Sequence, residues 1–87
     1  MNDSKKLTHR LNRIEGQVRG LNKMLEDDAY CIDIITQTSA VKKALGAFED
    51  ALLEKHLSHC VIDQIQGDDQ AKAIEEILKV YRLKRSS

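Results

Sequence analysis

The sequence contains no proline and no tryptophan, and its 87 residues include only one phenylalanine and two tyrosines. Without proline, nothing forces a helix to kink or stop, so long helices can run uninterrupted. With so few aromatic side chains, the core must come from Leu, Ile, Val, Ala and Met, which suits helices packed on helices. A chain of this length forms one small domain and often gains stability by oligomerisation, because alone it buries roughly 60% of its unfolded surface.

Long apolar runs are also absent, and the first residues, MNDSKK, contain no apolar stretch typical of a secretion signal. We therefore expect a soluble, cytoplasmic protein. In that compartment the two cysteines, Cys31 and Cys60, are expected to be thiols or metal ligands rather than a structural disulfide. A Gly-rich phosphate loop, a Ser/His/Asp arrangement and an obvious pair of carboxylates are all missing, which argues against an enzyme.

Apolar residues that recur at alternating steps of four and three predict a first helix from about residue 4 to 27. These residues are Leu7, Leu11, Ile14, Val18, Leu21 and Leu25. The pattern continues into a second helix from about 30 to 64 and a third from about 69 to 83. The predicted fold class is all-α, with one domain over residues 1–87. The length of the second helix favours a bundle or a coiled coil.

The segment EKHLSHC places His56 and Cys60 four residues apart, on one face of a helix and within chelating distance of each other. Cys31 precedes Cys60 by about 43 Å of helical rise, so a single chain cannot close a site between them. At 100° per residue, however, all three side chains lie within about 20° of one stripe. Two antiparallel helices with a twofold axis near Leu45 would build two identical Cys/His/Cys sites across the dimer interface.

Two thiolates and one imidazole form a soft, three-coordinate ligand set that suits Cu(I), whereas zinc would ordinarily take a fourth ligand. Spacing alone leaves other interpretations open. Free cysteines commonly serve as small apolar side chains in a core, and the same pair could form a redox-active thiol pair. A purely structural helical dimer is a further alternative, although the basic first helix argues against it.

Three segments, in this order, closely resemble the copper-sensing operon repressors, the CsoR/RcnR group of bacterial metal- and thiol-responsive DNA-binding proteins. They are RLNRIEGQVRGLNKML, YCIDIITQTSAVKKAL and LLEKHLSHCV, and the resemblance extends from about Leu7 to Val61 and more loosely beyond. It implies three helices per chain, an antiparallel four-helix bundle in the dimer, dimers that pair into tetramers, and no helix-turn-helix. Members of the group bind DNA through basic residues of the first two helices and release it when the inducer binds.

The ligand positions distinguish the branches of this group. The copper branch has Cys, followed by His and Cys of the partner chain, at the positions of Cys31, His56 and Cys60. The nickel/cobalt branch has His at the last position, the formaldehyde branch lacks the last Cys, and the persulfide branch lacks the His. The resemblance therefore implies a Cu(I)-responsive repressor, with a thiol- or persulfide-responsive repressor that uses Cys31 and Cys60 as the alternative. It also implies that Tyr30 and Glu76 surround the ligand histidine, where a carboxylate fixes the orientation of the ring.

Positive charge is concentrated in the first helix, although the formal net charge of the chain is zero. Residues 5 to 23 include six lysines and arginines and only one acidic residue, Glu15. Lysines alone would more often form a solvated surface, but arginine suits bidentate contacts with phosphate. We therefore expect double-stranded operator DNA to be bound through phosphates, groove shape and a few arginine contacts. The candidate residues are Arg10, Arg13, Arg19, Lys42 and Lys43, and the resemblance points most directly to Arg10.

Overall fold

The computed structural model describes residues 3–57, 66–67 and 69–86. Three α-helices account for most of them: α1 (Asp3–Glu26), α2 (Cys31–Lys55) and α3 (Gln70–Ser86). Within these described ranges there is no strand, and the prediction of an all-α fold is confirmed. Over the same ranges, no helix combines the length and the apolar character needed to cross a membrane.

A tight turn over residues 27–30 joins α1 to α2. The Ala29 amide donates to the Met24 carbonyl at 2.9 Å, and the Asp28 amide donates to the Leu25 carbonyl at 3.2 Å. This hydrogen-bond pattern is that of a Schellman cap. Asp28 has the left-handed conformation that the cap requires, with φ 55°, at a position where glycine is usual because a Cβ atom is unfavourable there. A connection this short makes α1 and α2 antiparallel neighbours.

α2 begins within a residue of its predicted start, and its α-helical part ends at Lys55. A π-helical turn follows at residues 56–57. The sequence predicts that this helix continues to about 64, and its stretch from 58 onward lies outside the described residues. π-Helical turns are widened turns that occur frequently at functional sites, so the end of α2 is a place where a functional side chain is expected.

The chain divides into two compact units, Met1–Leu53 and Glu54–Ser87. In the first unit, the buried apolar side chains among the described residues are Ile14 of α1 and Val41 of α2, and in the second the buried residue is Ala73. Many larger apolar side chains remain exposed, among them Leu11, Val18, Leu25, Ile32, Ile35, Leu45 and Leu52. A single chain therefore leaves much of its apolar surface in water. That residues 1–87 form one domain stays a prediction.

α3 extends to residue 86, about one turn beyond the end near 83 that the sequence predicts. The segment KRSS has no apolar residue to mark a buried face, so the pattern predicts a frayed tail there. The structure instead shows a further helical turn, with contacts between successive turns. The Ser86 hydroxyl donates to the Arg82 carbonyl at 3.0 Å, and the Arg85 guanidinium lies over the Tyr81 ring, 5.7 Å from its centroid.

Candidate metal centre and nucleic-acid interface

Cys31 is the first residue of α2, and its thiol is free and exposed. The carbonyl of the preceding residue, Tyr30, accepts hydrogen bonds from the amides of Asp33 at 3.0 Å and Ile34 at 3.2 Å, which starts the helix. The amide groups of the first turn give this end of a helix a partial positive charge that stabilises anions. Because cysteine binds metals as the thiolate, the start of α2 is a suitable position for a metal ligand.

His56 follows the last residue of α2 and faces α3. Its Nε2 atom lies 3.8 Å from Oε1 of Glu76, with 32% of the histidine side chain and 41% of the glutamate side chain exposed. This distance exceeds that of a hydrogen bond, so the contact is an electrostatic one between a carboxylate and a ring nitrogen. Since Nε2 faces the carboxylate, Nδ1 is the imidazole nitrogen that is available to a metal.

The third predicted ligand, Cys60, lies outside the described residues. Among the residues that are described, no three His, Cys, Asp or Glu side chains are close enough to hold a metal ion. The 25 residues of α2 extend over about 37 Å, so Cys31 cannot share a metal with a residue at the far end of the same helix. The ligand set Cys31, His56 and Cys60 therefore stays a prediction, and a site shared between two chains remains compatible with the geometry.

Tyr30 and Glu76 are the two residues expected around the ligand histidine. Glu76 lies against His56, within the second compact unit. Tyr30 immediately precedes the first residue of α2 and is 69% exposed. The roles of both residues stay predictions.

The predicted DNA contacts lie on helix surfaces that are open to solvent. Arg10 and Arg13 are three positions apart on α1, so they project from adjacent turns. Nη1 of Arg19 lies 3.2 Å from Oε1 of Glu15, with both side chains largely exposed. A surface ion pair of this kind contributes at most about 1 kcal/mol, so Arg19 can exchange it for a phosphate contact. All five candidates are exposed and belong to the first compact unit: Arg10, Arg13, Arg19, Lys42 and Lys43.

The chain matches one protein family over nearly its whole length. Residues 3–83 match the family described as metal-sensitive transcriptional repressor. The chain belongs to this family. Its members are repressors, in agreement with the expectation from the sequence that the chain is not an enzyme.

Several relatives of the chain are named as copper-sensing repressors. The copper-sensing transcriptional repressor CsoR of Bacillus subtilis (strain 168) is 50% identical over 76 residues, which cover 87% of this chain and 75% of the relative. The copper-sensing transcriptional repressor RicR of Mycobacterium tuberculosis (strain H37Rv) is 49% identical over 80 residues, covering 88% and 83%. The crystal structure of the copper-sensing repressor CsoR with Cu(I) from Geobacillus thermodenitrificans NG80-2 matches with a TM-score of 0.87 and 42% identity, over 93% of this chain and 84% of that one. The family resemblance inferred from the sequence motifs is confirmed.

One feature of this metal-sensitive repressor is missed by sequence reasoning, namely the basic end of α3. Four basic residues and no acid follow Glu76 in the sequence, so a signal was present. This run of basic residues indicates little about a binding surface if the end of the chain is expected to fray. In the structure, Lys79, Arg82 and Arg85 are exposed side chains on a continuous helix.

Proposed function

We propose that this chain is a copper(I)-responsive transcriptional repressor. It binds operator DNA in the metal-free form and releases the DNA when Cu(I) occupies a site formed by Cys31, His56 and Cys60. The observation that carries the proposal is the similarity to copper-sensing repressors, which reaches 50% identity to one relative and a TM-score of 0.87 to another that was solved with Cu(I). The operator DNA places its action in the cytoplasm.

The donor chemistry of these residues fits the metal. Thiolate and imidazole are ligands that favour copper over hard ions such as magnesium and calcium. The Cys31 thiol is free and exposed at a helix N-terminus, and His56 has Nδ1 available because Nε2 faces Glu76. Cu(I), when bound, supplies a soft centre that is satisfied by two thiolates and one imidazole.

The proposed site is shared between two chains, with Cys31 from one and His56 and Cys60 from the other. The length of α2 supports this arrangement, since its first residue cannot reach its own far end. The exposed apolar side chains support it as well, among them Leu11 and Leu45. Burying one leucine fully is worth about 1.5–3 kcal/mol, so an antiparallel four-helix bundle of α1 and α2 from two chains would gain substantial stability. The working form is therefore a homodimer or a homotetramer.

Glu76 is proposed to connect the metal site to α3. With Nδ1 of His56 as a metal ligand, Nε2 would carry the proton and would donate a hydrogen bond to the carboxylate of Glu76, whose Oε1 lies 3.8 Å from Nε2 in this structure. This bond would tie the end of α2 to α3 and would shift the assembly from a DNA-binding to a non-binding arrangement. The coupling free energy has to reach about 1–3 kcal/mol or more for such a switch to work.

The proposal is tested by titrating the reduced protein with Cu(I) under anaerobic conditions against a competing chelator. The His56→Ala variant is compared with His9→Ala, which removes an exposed histidine of α1. We expect one Cu(I) per chain in the wild type and in His9→Ala. We expect an affinity at least about a hundredfold lower in His56→Ala, because the loss of a ligand costs more than the loss of its outer partner.

The release step is measured by adding Cu(I) to the complex with a DNA duplex that the metal-free protein has selected from a random library. Release is expected with the wild type and His9→Ala, and not with His56→Ala. Cu(I) binding that is weak in the wild type, or that is indifferent to His56, would contradict the proposal. That result would favour thiol chemistry at Cys31 and Cys60.

A further inference from the structure

Positive charge gathers in two places along the described helices. The first is α1, which carries three of the five predicted DNA contacts, Arg10, Arg13 and Arg19. The second is the last ten residues of α3, from residue 77 to 86, which contain four basic residues and no acid. The rest of the chain compensates this charge, since the formal net charge is zero. A local excess of this kind on a neutral protein is what attracts a polyanion to one surface.

Three of these basic side chains point to one side of the helix. Lys79, Arg82 and Arg85 follow one another at intervals of three residues and are exposed. At 100° and 1.5 Å per residue they occupy an arc of about 120° and a rise of about 9 Å. Three successive phosphates of one DNA strand span roughly 7 Å of the helix axis, a length of the same order, because B-DNA carries one phosphate per strand every ~3.4 Å.

Ion pairs within the described part of the chain do not neutralise these charges. Among the described residues, neither Lys79 nor Arg82 forms an ion pair, and the acid one turn earlier, Glu75, forms none either. Arg85 lies over the ring of Tyr81, a contact that orients the guanidinium and leaves its charge in place. Basic residues do stabilise the C-terminal end of a helix, but only within its last turn. Lys79 lies two turns before that end, where this effect has faded.

We infer that Lys79 and Arg82, with Arg85 beside them, form a second surface that contacts the phosphates of duplex DNA, in addition to the basic residues of α1 and α2. The inference rests on the proposed function, because it assumes that the bound polyanion is the operator. The contact is with phosphates rather than with bases, since flexible exposed basic side chains position a protein on DNA without reading its sequence.

This placement gives α3 two roles, contact with His56 and contact with DNA. Glu76, which faces His56, and Arg82 are six residues apart on the same helix, or about 9 Å along its axis. A hydrogen bond formed at Glu76 on metal binding would therefore displace DNA-contacting side chains directly. In this arrangement α3 both contacts His56 through Glu76 and carries DNA-contacting side chains, so a shift of α3 would remove those side chains from the DNA.

The test measures how the affinity for the selected duplex depends on salt, using the full-length protein without metal. The Lys79→Ala/Arg82→Ala variant is compared with Lys72→Ala, which removes an exposed lysine from the first turn of α3. Alanine keeps the helix intact. We expect the slope of log K against log salt to become shallower by ~0.9 for each phosphate that the variant no longer neutralises, while Lys72→Ala keeps the wild-type slope. The charge-conserving variant Arg82→Lys is expected to retain most of the slope.

A slope equal to that of the wild type in the double variant would overturn the inference, and so would an equally shallow slope in Lys72→Ala. An affinity that falls without a change of slope would also overturn it, because that pattern indicates a structural effect on folding or assembly. A wild-type protein that binds no duplex in a salt-dependent manner would refute the proposed function itself, and the inference would fall with it.

Discussion

Replacement of Glu76 by glutamine tests how the metal site is connected to α3. The substitution keeps the size of the side chain and removes its charge at a point 3.8 Å from Nε2 of His56. Two opposite unit charges at that distance attract each other by about 1 kcal/mol in bulk water. This attraction requires a protonated imidazole, and both side chains are partly exposed, so the contact in the metal-free protein contributes at most about 1 kcal/mol, in line with surface ion pairs.

The effect on metal binding should be larger than the effect on folding. A carboxylate that orients a ligand histidine ordinarily accounts for a 10- to 100-fold difference in metal affinity, which corresponds to about 1.4–2.8 kcal/mol. We therefore expect Glu76→Gln to lower the Cu(I) affinity by about that factor. Its DNA affinity without metal should stay within a few-fold of the wild type, and Cu(I) should release DNA less effectively from it.

The matched control is Glu75→Gln, which removes the neighbouring carboxylate, about 100° away around the helix. Cu(I) affinity is measured anaerobically with a competing chelator, and DNA release by the fluorescence anisotropy of a labelled duplex. If Glu76→Gln binds Cu(I) and releases DNA like the wild type, Glu76 does not transmit the metal signal. An equal reduction of Cu(I) affinity in both variants would likewise show that the contact with His56 is not the cause.

Two further predictions concern the DNA surface and the turn. Arg10→Ala should lower the affinity for duplex DNA by about tenfold at 0.1 M salt and flatten the salt dependence by ~0.9 for each phosphate left without its basic partner; unchanged affinity across salt would remove Arg10 from the DNA surface. Asp28→Gly should raise the free energy of unfolding in urea, at fixed protein concentration, by about 0.5–1 kcal/mol, because relief of the left-handed strain outweighs the extra flexibility of glycine in the unfolded chain. Asp27→Gly, whose position is not left-handed, should lower it, and a gain of equal size there would contradict the explanation.

Much of the fold follows from local patterns. The apolar residues of α1 recur with a helical period. The first residues of α2 and α3 lie within one or two residues of their predicted positions. The helix ends are less predictable. α1 ends because Asp28 adopts a left-handed conformation, although the sequence offers no glycine there. α3 continues to Ser86, with polar contacts between its turns that an apolar pattern does not record.

The candidate site divides in the same way. Spacing and phase place Cys31, His56 and Cys60 on one stripe of a helix, and the family motifs imply their common role. The position of Glu76 relative to His56 depends on how α3 returns toward the end of α2, and the family motifs imply this contact without giving its geometry. Similarly, the exposure of Lys79 and Arg82 without an ion pair among the described residues is a property of the folded chain.

The sequence by itself determined the helical fold class, the family and the chemical nature of the ligands, because these depend on periodicity and on residue types at fixed spacings along one helix. Only the tertiary structure decided which imidazole nitrogen of His56 faces Glu76, and that the basic residues after Glu76 stand on an ordered helix. Both depend on contacts between residues on different turns or different helices, and the free energies of such contacts are too small and too numerous to be apparent in a linear pattern.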